Sequence, residues 1–365
     1  MTQRIRIGVI GCGQIGQKHL AAYALLPEAE LVACADLNPE AARKSAAEYG
    51  IEHVYTRYED LLERADLDAV DVCLHNNLHR PASLAAFAAG KHVYCEKPMA
   101  GSYADARAMR DAAVQSGKQL HIQLGTLYAN ETRAAKELIE LGELGELYHA
   151  RSSSARRRGR PYVDGYGTPH FVQKAHAAGG ALYDMGVYHI AQLLYLLGNP
   201  DVERVTGKTY QRLEMDAARR ARSEYDVEEL GTGFVRLAGG ATLDIIEAWA
   251  LHVDSLDASY VFGSKAGVRL SPFGFFKSYG HLDVDAEVDL GRAQFRWDNL
   301  SETGKYYGSS AAHWLGALLG HVPLLPTAEI ALNTMLISEG IYLSESLGRE
   351  VTAEEIVQHS RPALG

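Results

Sequence analysis

The chain has 365 residues, 47% apolar and 22% charged, which is more than one hydrophobic core usually supports; two domains are expected and a disordered or fibrous protein is excluded. A formal charge of -10 argues against a nucleic-acid partner, since phosphate binding needs clustered positive charge. No apolar stretch reaches membrane-spanning length.

In chain order, Arg4-Ile10 reads as a buried strand and Gln14-Leu26 as the helix after a glycine turn. Glu30-Ala35 is a second strand, and Pro39-Tyr49 a helix with proline in its first turn. Ala69-Leu74 and His92-Cys95 repeat the short apolar pattern on either side of an alanine-rich helix, and Gln119-Leu124 supplies another strand. Strands alternating with helices imply a parallel sheet covered on both faces. After Thr126 the pattern changes: a helix over Glu131-Leu141, a strand at Leu147-Ser153, a polar loop over Arg156-Thr168 and a helix over Ala181-Leu197. Strand-like runs between Val202 and Leu290 suggest an antiparallel sheet, and helices at Ala311-Leu319 and Ala328-Leu347 close the chain. The expected fold class is α/β, an N-terminal doubly wound parallel sheet over 1–126 followed by an α/β domain with a large, open, mostly antiparallel sheet over 127–365.

Cys12, Cys34, Cys73 and Cys95 all lie in the first quarter of the chain without C-x-x-C spacing, so neither a zinc site nor a redox pair is indicated and no metal is expected. Free thiols and no secretory apolar segment before the first strand predict a reducing cytoplasm.

Gly11-Cys12-Gly13-Gln14-Ile15-Gly16 sits where a strand hands over to a helix. Glycines there permit the tight turn, backbone approach to a pyrophosphate, and close helix–strand packing; the amides that open the helix hold the anion. Asp36, twenty residues beyond Gly16 at the end of the second strand, can accept hydrogen bonds from ribose hydroxyls and would repel a 2'-phosphate. The next residues, Leu37 and Asn38, carry no positive charge, which favours NAD over NADP. Glu96-Lys97-Pro98 follows a later strand, and Pro98 ends it, which leaves Lys97 at the carboxyl edge where ligands of such sheets bind.

These motifs, with Gly179-Gly180-Ala181-Leu182-Tyr183-Asp184-Met185-Gly186-Val187-Tyr188, resemble the Gfo/Idh/MocA oxidoreductase family, which includes glucose-fructose oxidoreductase and inositol dehydrogenase. The likeness runs through nearly the whole chain to Tyr342-Leu343-Ser344-Glu345-Ser346-Leu347-Gly348-Arg349. It implies hydride transfer between nicotinamide and a secondary hydroxyl of a sugar, glycoside or cyclitol, and a homodimer or homotetramer built on the outer face of the second sheet. It implies catalytic roles for Lys97, Asp184 and Tyr188, where many relatives carry histidine at the last position. At i and i+4 of a regular helix, Asp184 and Tyr188 share a face, and His189 is rotated toward Met185. In the expected scheme Lys97 holds the hydroxyl and favours the Tyr188 phenolate, which takes the proton.

The resemblance completes the cofactor side with Leu74, Asn77, His79, Glu96 and Lys97. It offers Arg158, in the run Arg156-Arg157-Arg158-Gly159-Arg160, and Lys174 as further substrate contacts; Tyr162, Tyr166 and Tyr183 add faces for a pyranose ring. His75 and Asn76 depart from the family pattern, as does Gly125-Thr126-Leu127, where relatives often have arginine. Two other readings stay open: redox-assisted glycoside cleavage, and a non-catalytic NAD- or sugar-sensing regulator. Retention of Lys97, Asp184 and a protic group at 188 argues against the regulator.

Overall fold

The computed structural model describes residues 3–256 and 258–363. Short apolar strands alternate with helices through the first 122 residues: β1 (Ile5–Ile10), α1 (Gln14–Ala24), β2 (Ala29–Ala35), α2 (Pro39–Tyr49), β3 (His53–Tyr55), α3 (Tyr58–Leu62), β4 (Ala69–Val72), α4 (His79–Ala88), β5 (His92–Cys95), α5 (Tyr103–Ser116) and β6 (Leu120–Ile122). Asn38 caps α2, its side chain accepting from Glu40 N at 3.0 Å, with Pro39 in the first turn. Among the described residues the strands form one parallel six-stranded sheet in the order β3-β2-β1-β4-β5-β6, the doubly wound arrangement with its switch point between β1 and β4.

The chain continues with α6 (Asn130–Glu140), β7 (Leu147–Ala155), the short α7 (Lys174–Ala177), a π-helical turn at Leu182–Gly186, α8 (Val187–Leu196), β8 (Val202–Tyr210), α9 (Ala217–Ser223), β9 (Leu230–Leu237), β10 (Thr242–Ala248), β11 (Tyr260–Gly263), β12 (Gly267–Leu270), β13 (Phe273–Tyr279) and β14 (Leu282–Ala286). It ends with α10 (Leu290–Leu300), α11 (Ser310–Leu318), α12 (Thr327–Leu347), β15 (Val351–Thr352) and α13 (Ala353–His359). The second sheet has nine strands among the described residues, in the order β14-β13-β12-β11-β7-β10-β9-β8-β15, with β7 and β10 parallel and the other pairs antiparallel. Along β10, Leu243, Ile245 and Glu247 are buried, while Asp244 on the opposite face pairs with Arg151 and His149.

The chain divides into two compact units. The first comprises 3–100, 105–123 and 297–328; the second comprises the described residues of 101–104, 124–296 and 329–363. A single boundary at 126/127 therefore does not describe the division, because a late segment returns to the first unit. Packing is the reason. Trp314 and Leu315 of α11 belong to the core formed by Ile7, Val9, Leu20 and Tyr94, and Tyr94 donates to Ser310 Oγ at 2.8 Å. Lys305 pairs with the buried Glu28 at 3.0 Å, and Ile122 N donates to Thr327 Oγ1.

All four cysteines are free, three buried and Cys73 half-buried. No helix among the described residues is long and apolar enough to cross a membrane.

Candidate active site

The glycine turn after β1 is shaped as its sequence requires. Gly11 has φ +96°, and a Cβ there would meet the Cys73 carbonyl oxygen at 2.3 Å. At Gly16 a Cβ would lie 2.0 Å from the Gly11 carbonyl oxygen, so a larger residue would force α1 off β1. Gly13 is different: a Cβ there meets nothing within 4 Å, which leaves the backbone open at the start of α1. This is a cradle a pyrophosphate fits, and no side chain caps the start of α1.

Asp36 fastens the same turn. One oxygen accepts from Cys12 N and the other from Asn38 N, each at 2.8 Å. A carboxylate has about four acceptor positions, so both oxygens retain capacity for ribose hydroxyls. Leu37 is exposed beside it. Changing Asp36 to Ser should shift the ratio of the NAD and NADP dissociation constants toward NADP by about tenfold, ~1.4 kcal/mol.

Across the switch point, Leu74 and Asn77 are half-buried after β4, whereas the His79 ring is completely buried. Its Nδ1 lies 2.9 Å from the Pro98 carbonyl and its Nε2 3.0 Å from the Leu74 carbonyl. Burial pushes its pKa below the ordinary imidazole value, against the pull of those carbonyls. His79 thus ties the turn after β4 to the turn after β5, and its place is behind the cofactor surface.

Lys97 is half-buried at the end of β5, and its backbone N–H donates to Glu96 Oε2 at 2.9 Å. The other Glu96 oxygen is 2.9 Å from His19 Nε2; His19 Nδ1 is 2.8 Å from Asp71 Oδ2 and 3.3 Å from Cys73 Sγ. Burial opposes charge on His19, but Asp71 and Cys73 outweigh it and raise its pKa. Burial likewise opposes charge on Glu96, yet the hydrogen bond and charge of His19, with Lys97, hold its carboxyl below the usual range. His19, Asp71 and Cys73 offer ligand atoms within 4.8 Å of one another, and the hydrogen bonds already described use them. A sequence signal existed for this network: a histidine one turn after Gly16, and an aspartate inside the apolar strand Ala69–Val72.

In the second unit, Asp184 and Tyr188 are half-buried. Asp184 Oδ2 accepts from Trp249 Nε1 at 2.9 Å, and the Tyr188 carbonyl accepts from Thr126 Oγ1 at 2.9 Å. His189 does not pair with Met185. Met185 sits in a core with Ala181, Val163 and Trp249, while His189 Nδ1 lies 3.0 Å from both oxygens of the buried Glu247. The π-helical turn explains the departure, since it inserts a residue into the regular helical period assumed from the sequence. Neither Trp249 nor Glu247 was expected.

The basic run separates into four environments. Arg156 donates to the Tyr166 hydroxyl at 2.8 Å and Arg157 to the Val253 carbonyl. The Arg158 side chain is 70% exposed, 3.7 Å from Asp164. Arg160 is wholly buried between Asp164 and Glu229, each at 2.9 Å, and is a strut of the loop. Lys174 stands apart from these arginines, exposed at a cavity of about 280 Å³ that it shares with Gly179, Asp226, Glu228, Tyr342 and Glu345. Its Nζ lies 5.9 Å from the Tyr342 ring centroid. Tyr183 is buried against Tyr342, so it offers no face to a sugar.

A doubly wound sheet with an open glycine cradle and a carboxylate at the end of its second strand defines a dinucleotide-binding oxidoreductase fold. Residues 5–124 match the oxidoreductase family with an NAD-binding Rossmann fold, and residues 132–269 match the GFO/IDH/MocA C-terminal domain. The chain is 32% identical over 356 residues to D-glucoside 3-dehydrogenase of Escherichia coli (strain K12), covering 95% of this chain and 97% of that protein. It is 29% identical over 201 residues to myo-inositol 2-dehydrogenase of Thermotoga maritima, covering 55% and 57%. Among solved structures, levoglucosan dehydrogenase in complex with NADH shares the fold, with a TM-score of 0.79, 21% identity and coverage of 96% and 99%. An oxidoreductase from Agrobacterium radiobacter in complex with NAD+, L-tartaric acid and magnesium also has a TM-score of 0.79, at 20% identity, covering 97% and 100%. The chain belongs to the Gfo/Idh/MocA family of NAD-binding oxidoreductases.

Proposed function

We propose that the protein is an NAD-dependent dehydrogenase of sugar secondary hydroxyls, with D-glucosides as the substrate class and the C3 hydroxyl as the group oxidised. The observation that carries this reading is the 32% identity to D-glucoside 3-dehydrogenase over 95% of the chain. The relationship to an inositol dehydrogenase keeps cyclitols in the substrate panel. NAD is preferred over NADP because Asp36 places a carboxylate, with the uncharged Leu37 and Asn38 after it, where a 2'-phosphate would need a cation.

Gly11, Gly13, Gln14, Ile15, Gly16 and Asp36 hold the dinucleotide, with Leu37, Leu74, Asn77 and the Glu96–Lys97 turn completing its surroundings. When bound, NAD supplies the hydride acceptor. Lys97 binds the hydroxyl that is oxidised, its ammonium favouring the developing alkoxide. Asp184, oriented by Trp249, and Tyr188 hold the sugar by hydrogen bonds, and Arg158 and Lys174 extend the contacts to outlying hydroxyls. The free thiols fit a reducing cytoplasm. Exposed Tyr279, Leu282 and Val284 at the β13–β14 end of the second sheet support a homo-oligomer built on that sheet.

The test is oxidation of methyl glucosides and cyclitols with NAD, followed at 340 nm, with a C3-deuterated glucoside as label. Deuterium in the NADH and a 3-keto product support the reading. Release of aglycone without net NADH would move it to redox-assisted cleavage. Retained NAD with no exchange across the panel would favour the sensor.

A further inference from the structure

The first unit brings together a set of ligand atoms that their spacing in the sequence hides. Asp71 lies in β4 and Cys73 just past its end, two residues on, so both project to the same face of the sheet. Glu96 continues β5 beside them, its N–H bonded to the Val72 carbonyl. His19 meets that face from α1, 52 residues before Asp71 and 54 before Cys73. Its ring offers Nδ1, Asp71 a carboxylate oxygen and Cys73 a sulfur, all within 4.8 Å of one another. The geometry points to a binding site for a thiophilic divalent cation, Zn²⁺ above all, with His19 Nδ1, Asp71 and Cys73 Sγ as its protein ligands. All three residues belong to the first unit, and the inference is independent of the dehydrogenase reading.

Around a tetrahedral zinc ion, with bonds of about 2.0–2.3 Å, neighbouring ligand atoms stand about 3.4–3.6 Å apart. Cys73 Sγ is 3.3 Å from His19 Nδ1 and 3.4 Å from Asp71 Oδ1, close to that spacing already. The contact of Nδ1 with Asp71 Oδ2, now 2.8 Å, has to open by about half an ångström, as a hydrogen bond gives way to two bonds to one ion. The far side of the ring is held as a zinc ligand requires: Nε2 lies 2.9 Å from Glu96 Oε1, so its N–H is bound by a carboxylate and Nδ1 is the nitrogen left for the metal. An imidazole nitrogen, a carboxylate oxygen and a thiolate select Zn²⁺ over Mg²⁺ and Ca²⁺, which take oxygen ligands. Asp71 and His19 are buried while Cys73 is half-buried, so the ion enters, and its fourth position opens, on the cysteine side.

The exchange leaves the buried charge unchanged. Without metal the three groups are an imidazolium, a carboxylate and a thiol, which sum to zero. Binding releases one proton from His19 Nδ1 and one from Cys73 Sγ to solvent; Zn²⁺, carboxylate, thiolate and neutral imidazole again sum to zero. Burial pushes the Cys73 thiol's pKa up, and direct coordination is the interaction strong enough to deprotonate it. The ion also takes over from the imidazolium as the positive charge facing Glu96, and it ties α1 to β4 beneath the glycine turn.

The experiment uses the full chain, reduced and cofactor-free, stripped with a chelator and then titrated with Zn²⁺ by calorimetry and with Co²⁺ by absorbance. Wild type should bind one Zn²⁺ and unfold at a higher temperature with it; with Co²⁺ it should show a thiolate-to-metal charge-transfer band and the visible bands of a tetrahedral ion. Cys73→Ser, its folding checked by circular dichroism, should weaken Zn²⁺ binding about hundredfold or more and lose the charge-transfer band, and Glu96→Gln should weaken it about tenfold. Cys12→Ser, which removes the thiol of the glycine turn, should bind as wild type does. X-ray absorption of the wild-type zinc complex, which needs no variant, should show one sulfur in the ligand shell. The assignment is overturned if wild type takes up no zinc, if cobalt binds without the charge-transfer band, if the zinc shell holds no sulfur or two, or if Cys73→Ser binds as tightly as wild type.

Discussion

Replacing Lys97 with Ala should lower kcat for glucoside oxidation about 10²–10⁴-fold while changing the NAD dissociation constant less than tenfold. The two effects separate because different parts of the residue serve them. The backbone of Lys97 is bound to Glu96 Oε2, and the dinucleotide cradle is built by Gly11, Gly13 and Gly16 on another turn. Alanine preserves the backbone hydrogen bond and removes only the ammonium to which the proposed mechanism assigns the reacting hydroxyl. Arginine should not rescue the rate, since a planar, longer guanidinium cannot place a compact charge where an ammonium sat. Steady-state assays at 340 nm and fluorescence titration with NADH check both halves. Turnover within tenfold of wild type in Lys97→Ala would remove the lysine from the chemistry.

The features legible in the sequence were local ones. Glycines at 11 and 16 are demanded by close backbone contacts, with Cys73 and Gly11 respectively, so the pattern carries the structure with it. Asp36 is equally direct, because the end of a strand fixes where its side chain stands. The return of 297–328 was not legible, since an apolar helix such as Ser310–Leu318 records that it is buried but not against which core. The basic run gave its composition and hid its roles. Which guanidinium goes inside is decided by Glu229, sixty-nine residues away, although Asp164 four residues after Arg160 was a visible hint. The reading of His189 failed for a third reason: a π-turn breaks the 3.6-residue period on which its pairing with Met185 was judged.

Replacing His19 with Leu should destabilise the first unit by about 3–5 kcal/mol at neutral pH, because it leaves Asp71 and Glu96 as buried carboxylates without their shared cation. The pH dependence distinguishes this from a simple loss of packing. In wild type, Glu96 has a depressed pKa, so its contribution is present above the ordinary carboxylate value and is lost as pH falls through the lower folded value. His19 has a raised pKa; its contribution is full below the ordinary imidazole value and is lost only as pH rises through the folded one. The network is therefore intact across neutral pH. In His19→Leu Glu96 loses the counter-charge that held its pKa down, so its protonation relieves the variant as pH falls. The gap between variant and wild type should thus be widest at neutral pH and shrink toward pH ~4. Urea unfolding followed by Trp314 reads the right core, since its ring lies 5.1 Å from Tyr94, which in turn meets the His19 ring edge-on at 5.5 Å. A stability difference independent of pH would show that His19 acts there by volume and not by charge, and the anchoring of Glu96 beneath Lys97 would then need another source.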